Sequence, residues 1–131
     1  MSRVCLDTSA YSNWKRGHEK VADLIDQAEW IGVPCIVLGE LYAGFEAGSQ
    51  AERNGSELEE FLASPVVHEL AVDHEVARIF GSIVADLRRR GTPLPVNDIW
   101  IAATCARAGA TLLTFDTHFR SLGRIGVSVL E

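Results

Sequence analysis

Four acids in this sequence stand where an apolar element has just ended or is about to begin. Asp7 directly follows "RVCL" and Asp116 directly follows "TLLTF". Asp98 opens the apolar stretch "IWIAATCARA", and Glu40 lies inside "PCIVLGELYAGF". Taken singly, Asp7, Asp98 and Asp116 read as turn or helix-cap acids, and Glu40 reads as surface. Brought together, four carboxylates repel one another and resist desolvation unless cations neutralise them. Oxygen-only donors suit hard ions such as magnesium or manganese, so the chemistry expected of this set is that of a metal site.

The elements that would assemble it follow from hydrophobic periodicity. "RVCL" (3–6), "WIGV" (30–33), "PVVHELA" (65–71), "TLLTF" (111–115) and "VSVLE" (127–131) read as short strands. Between them, "HEKVADLIDQAE" spaces Val21, Leu24, Ile25 and Ala28 along one helical face. "DHEVARIFGSIVADLRRRG" does the same with Val76, Ile79, Phe80, Ile83, Val84 and Leu87 before Gly91 stops it. Residues 49–64 begin polar, break at Asn54-Gly55 and turn helical again at "SELEEFLAS". Strands alternating with helices imply right-handed crossovers and a parallel sheet covered on both faces, an α/β fold. Ligands meet such sheets at the carboxyl edge, where strand order reverses. Asp7 and Asp116 fall at that edge, and the extended "GTPLPV", at about 3.3 Å per residue, carries the chain back to deliver Asp98 there. A helix around Glu40 sets it over Val37 and Ile36 and under Ala43 and Gly44, an apolar, small-residue face, while Glu46 falls on another face as ordinary surface.

With 131 residues, 47% of them hydrophobic, the chain supports one domain over residues 1–131. No run approaches a membrane span, and residues 1–6 lead into Asp7 without the apolar stretch of a signal peptide, so the expectation is a soluble, cytoplasmic protein. Cys5, Cys35 and Cys105, odd in number and far apart on apolar stretches, are expected as buried reduced thiols. A net charge of -6 argues against gripping nucleic acid by bulk positive charge. It does not exclude a nucleic-acid enzyme, since bound ions would be the largest local charges. Basic residues then count by location: Lys15 and Arg16, the Arg88-Arg89-Arg90 run, Arg120 and Arg124, each of which otherwise reads as solvated surface.

Competing constellations are incomplete. There is no G-x-x-x-x-G-K, G-x-G-x-x-G or C-x-x-C. The pairs His18-Glu19 and His74-Glu75 lack a second histidine, because Ala22 and Arg78 occupy the places a zinc protease needs. Ser9 and Ser12 have no histidine base nearby. A dehalogenase-like phosphatase needs D-x-D after the first strand, where this chain has Asp7-Thr8-Ser9. A phosphoacceptor receiver needs a lysine behind a late strand, and the two lysines, Lys15 and Lys20, are both early. His118 reads as packing beside Phe119 in preference to a substrate contact.

In "CLDTSA", "LGELYAG" and, most specifically, "NDIWIAATCARAGATLLTFDTHF", the sequence resembles the PIN-domain family, and within it the VapC-like toxins of bacterial toxin–antitoxin pairs, over essentially the whole chain. "LGEL" departs from the more frequent serine-bearing form, so a hydroxyl contact at Val37 or Gly39 is absent. The resemblance implies a three-layer α/β/α, PIN-like fold around a five-stranded parallel sheet, commonly in a homodimer. It implies an endoribonuclease dependent on magnesium or manganese, leaving 5′-phosphate and 3′-hydroxyl ends. Asp7, Glu40, Asp98 and Asp116 carry over as the catalytic metal ligands, and Thr8, Ser9 and Thr114 as hydroxyl contacts to substrate. One cation, or a pair about 3.5–4 Å apart, would hold the scissile phosphate, activate a water and steady the leaving oxygen, with no protein nucleophile. The expected partners are an RNA substrate and a cognate antitoxin. Tyr11, Trp14, Tyr42 and Phe45 are candidates to line a groove for that antitoxin, and equally candidates for the core. A housekeeping PIN nuclease and a non-catalytic PIN-like binding or signalling module are the alternatives. The RNA target stays open among transfer, ribosomal and messenger RNA.

Overall fold

Val4, Cys5 and Leu6 are fully buried, which is what a strand in the middle of a covered sheet requires. In the computed structural model, which describes residues 3–123 and 126–131, they belong to β1 (Arg3–Leu6). There follow α1 (Thr8–Lys15), α2 (Glu19–Gln27), β2 (Trp30–Pro34), α3 (Cys35–Ala47) and α4 (Ala51–Leu62). The second half comprises β3 (Val67–Leu70), α5 (His74–Arg90), α6 (Val96–Ala108), β4 (Thr111–Thr114), a 3-10 turn (Thr117–Ser121) and β5 (Val127–Val129). All strand pairings are parallel and the order is β3-β2-β1-β4-β5. The chain steps from β1 to β2 to β3 in one direction, then crosses to β4 and β5 on the other side of β1. Right-handed crossovers therefore lay α1 to α4 on one face and α5 and α6 on the other, giving the expected three layers. The reversal falls between β1 and β4, where Cys5 pairs with Leu112 and Leu6 with Leu113.

The strands match the apolar runs, with ends trimmed where turn chemistry takes over: Pro65, which has no N–H to donate, lies in a turn before β3. Gly91 and Gly109, at φ 65° and 66°, close α5 and α6 in the left-handed conformation.

Two expectations about elements fail. Asn54-Gly55 does not break the chain; α4 runs through both residues. Its packing outweighs the roughly 1 kcal/mol that glycine costs inside a helix: Leu58 is fully buried, and the Phe61 ring lies 5.6 Å from Tyr11 and 4.9 Å from Trp14. Cys35 is exposed, as the first residue of α3, whereas Cys5 and Cys105 are buried; all three thiols are free. Among the described residues, no helix is long and apolar enough to cross a membrane.

Candidate active site

Asp7 ends β1 and caps α1. Its Oδ1 accepts from the Ala10 N–H at 2.8 Å and from the Ser9 hydroxyl at 2.7 Å, and its Oδ2 accepts from the Thr114 hydroxyl. These hydroxyls also serve the end of β4, where the Phe115 N–H donates to Ser9 Oγ and the Asp116 N–H donates to Thr114 Oγ1, both at 2.9 Å. Two side chains thus tie the start of α1 to the loop that presents Asp116. Asp116 caps the 3-10 turn, with Oδ1 accepting from the His118 N–H at 2.9 Å.

Glu40 comes from the middle of α3 and is half-buried. Thr8 Oγ1 donates to its Oε1 at 2.5 Å, and Asn97 Nδ2 donates to its Oε2 at 3.4 Å. Its face is less enclosed than expected: Val37 is buried, but Ala43 and Gly44 are exposed. Small side chains there leave the carboxylate open to the cavity instead of covering it. Asp98 lies in the first turn of α6, whose N-cap is Pro95 and has no side-chain cap bond. No hydrogen bond to its carboxylate occurs among the described residues, so a capping role does not account for it.

All four acids line one open cavity of about 410 Å³, together with Ser12, Asn13 and Arg16 on the α1 side. Burial pushes the Asp98 carboxyl up to about 6, and the charges of Asp116, Glu40 and Asp7 push the same way, while His118 opposes them. Asp7, only 4% exposed, is likewise raised above the ordinary carboxylate value: its burial outweighs the hydrogen bonds from Thr114, Ala10 and Ser9, and Asp116 adds repulsion. Among the described residues, no lysine or arginine forms an ion pair with any of the four. A proton on Asp98 is the relief available in the protein alone, and a divalent cation is the stronger one. Ligand atoms of Asp98, Asp116 and His118 lie within 4.8 Å of one another, close enough to share such an ion. The donor set is oxygen-rich and fits magnesium or manganese.

Of the residues expected to touch substrate, Thr8 and Ser9 line this cavity and Thr114 does not. Thr8 is turned to Glu40 and Ser9 to Asp7, while Thr114 is fully buried, its hydroxyl enclosed between Asp7 and Asp116. His118, expected to pack beside Phe119, instead points its Nδ1 at Asp116 Oδ1, 3.1 Å away, and is exposed; Phe119 alone takes the buried place. The signal in the sequence was its position two residues after an acid at a strand end. Asn97, beside Asp98, also reaches Glu40, a contact 57 positions away that no local pattern announces. Arg89 and Arg90 pair with Asp86 at 3.5 and 2.9 Å, which accounts for two of the three basic residues ending α5. Arg124 lies outside the described residues.

The PIN domain family model matches residues 4–125. The chain belongs to the PIN-domain family. Ribonuclease VapC4 of Mycobacterium tuberculosis is 31% identical over 99 residues, covering 76% of this chain and 75% of that protein. Ribonuclease VapC2 of Haemophilus influenzae is 32% identical over 116 residues, covering 87% and 86%. The crystal structure of DNA-bound VapBC from Salmonella typhimurium contains a chain that superposes with a TM-score of 0.85 at 26% identity, over 98% of both chains. In this PIN domain, Asp7 and Asp116 stand at the carboxyl ends of the two strands flanking the sheet's reversal, where α/β sheets place their ligands.

Proposed function

We propose that this PIN domain is a magnesium- or manganese-dependent endoribonuclease and the toxin of a toxin–antitoxin pair. The observation that carries the reading is the convergence of Asp7, Glu40, Asp98 and Asp116 on one cavity, with no lysine or arginine among the described residues paired to any of them. RNA as substrate is supported by relatives named as ribonucleases. The four acids would hold the metal, with His118 beside Asp116. When bound, the metal supplies an activated water and charge stabilisation at the scissile phosphate.

The chain's own residues set the conditions for that chemistry. Ser9, Thr114 and the Ala10 N–H fix both oxygens of Asp7, and Thr8 and Asn97 fix those of Glu40. Asp98 accepts no hydrogen bond among the described residues, and burial and the neighbouring carboxylates raise its pKa to about 6, so it is the ligand whose charge a cation would favour most.

The pairing with an antitoxin draws on solved neighbours that are VapBC toxin–antitoxin assemblies. Of the four candidate groove residues, Tyr11 is only 2% exposed and packs with Trp14 and Phe61. Tyr42 is 39% exposed and meets half-buried Phe45 edge to face at 6.0 Å, so these two, with the accessible part of Trp14, are the contacts offered to a partner helix. A homodimer in the cytoplasm completes the proposal.

The test is cleavage of total cellular RNA by purified protein, with mapping of new 5′ ends. Cutting in manganese or magnesium, 5′-phosphate products, arrest by EDTA and a loss of more than about 100-fold in Asp7→Asn are expected, since even residues that only support metal ligands typically cost 10–100-fold. Undiminished cutting by Asp7→Asn in EDTA would overturn the metal mechanism.

A further inference from the structure

Ser9, Ser12 and Arg16 recur at three- and four-residue spacing along α1 and its C-cap, so they share one face. At one end of that face Ser9 holds Asp7; at the other stands Arg16. Ser12 and Arg16 line the acid cavity and also a second cavity of about 250 Å³ between α1, α3 and α4. The two cavities share a wall.

The second cavity has the opposite charge character. It is lined by Lys15, Arg16 and Arg53 against a single acid, Glu57, which Lys15 approaches at 3.7 Å. Arg16 and Arg53 are exposed, and neither side chain has an ion pair or hydrogen bond among the described residues. Among the described residues, Arg16 is the one cation lining the acid cavity, and it forms no ion pair or hydrogen bond with the carboxylates there. Its guanidinium is therefore not committed to the carboxylates it adjoins. In a protein of net charge -6, two uncommitted guanidinium groups sit in the cavity next to the proposed cleavage site. A guanidinium presents a planar fork of donors that matches phosphate oxygens.

We infer that the second cavity is a subsite for the sugar–phosphate backbone of single-stranded RNA flanking the scissile bond, with Arg16 binding the phosphate at the junction and Arg53 one farther along. The inference rests on the ribonuclease reading above. It also explains how an acidic protein holds a polyanion: the positive charge it needs is local, one helical face away from the metal acids. Ser12, Asn54 and the three cations are five of the eight lining residues, with Tyr11, Phe45 and Glu57 the rest, so the wall suits a charged polymer better than a purely apolar segment.

The test measures binding of a labelled, mixed-sequence, short single-stranded RNA to the full chain carrying Asp98→Asn, over a series of salt concentrations. On that background Arg16→Ala and Arg53→Ala should each weaken binding and flatten the log–log salt slope by about 0.7, the increment for one phosphate contact on a single strand. The double variant should lose about twice that. Arg16→Lys should keep the parent slope, and Arg16→Gln, which should flatten it as Arg16→Ala does, carries the test if the alanine variant fails to fold. Arg88→Ala, which removes the same charge from α5 on the other face of the sheet, should bind as the parent does. With Asp98 intact, Arg16→Ala should raise KM more than it lowers kcat on an RNA the protein cuts. Unchanged slopes in both Arg16→Ala and Arg53→Ala overturn the subsite, as does no measurable binding by the Asp98→Asn parent. An equal loss in Arg88→Ala overturns it by showing a bulk charge effect. Unchanged RNA binding with lost capture of the adjacent gene product assigns the surface to a protein partner and overturns it too. A chain that cuts no RNA sinks the nuclease reading alone, because the salt slopes still decide the subsite.

Discussion

Asp7 accepts three hydrogen bonds and is still harder to ionise than an ordinary aspartate, because removal from water outweighs them. The acids were legible because a carboxylate at the end of an apolar run has few structural excuses once several share an edge. The hydroxyls were legible as residues but not in their roles. Ser9 and Thr114 are 105 positions apart, and no local pattern says that both serve Asp7. Thr114→Val keeps the shape and removes the hydroxyl that joins Asp7 to Asp116; activity should fall roughly 10–100-fold and stability by about 1.5–3 kcal/mol, the usual worth of a hydrogen bond to a charged group. Chemical denaturation beside a cleavage assay reads both. Asp98 gives a pH prediction with the opposite sign from a salt-bridged acid. Its carboxyl lies at about 6 in the fold against 3.8 without the protein environment. Between those values the folded state holds more protons than the unfolded one, so metal-free stability falls as pH rises through this window and stays lowered above it. In EDTA the melting temperature should decline from near pH 4 to pH 7, and Asp98→Asn should shrink that decline. An equal decline in the variant would assign the effect to other groups.

The strands and the long helices follow from hydrophobic period, and their caps follow from residue type: Asp73 accepts from the Val76 N–H at 2.9 Å and Gly91 closes the same helix. What periodicity missed was the first half of α4, where a turn-like Asn54-Gly55 is overridden by Leu58 and Phe61 packing from the next turns. A Cβ on Gly55 would meet nothing nearer than Tyr42 Cε1 at 3.8 Å, an ordinary contact. Gly55→Ala should therefore stabilise the protein by about 0.5–1 kcal/mol, read as a higher denaturant midpoint at unchanged slope. Destabilisation would mean that position 55 is not in an ordinary helix. Gly32, in β2, is the reverse case: an added Cβ would come within 2.7 Å of Leu70 Cδ1 and 2.8 Å of the Trp30 ring. Overpacking of this kind costs about 1–3 kcal/mol, so Gly32→Ala should lower the midpoint. Glu40 teaches a related lesson. Its helix was foreseen, but the small residues after it keep the carboxylate accessible and do not bury it.

Across the whole molecule, a sheet whose order reverses at β1 sets two of the acids side by side, and two helices from opposite layers bring the other two. The parallel, doubly covered sheet could be read from the alternation of elements; its strand order, and the sharing of a wall between an acidic and a basic cavity, could not, because they depend on elements meeting in space. At this scale the toxin proposal predicts that expression alone arrests growth, and that coexpression with a small neighbouring gene product restores growth and yields a copurifying complex. Harmless expression of an active enzyme that binds no such product would leave a housekeeping nuclease with the same site. The most direct measurement of the central claim is a manganese titration of one purified sample followed by calorimetry and RNA cleavage together, for the parent and for Asp98→Asn. Saturation of the metal site and onset of cleavage should coincide in the parent, and both should be lost or greatly weakened in the variant while it remains folded. Full cleavage before any metal binds, or an Asp98→Asn protein that binds manganese and cuts like the parent, would contradict that claim.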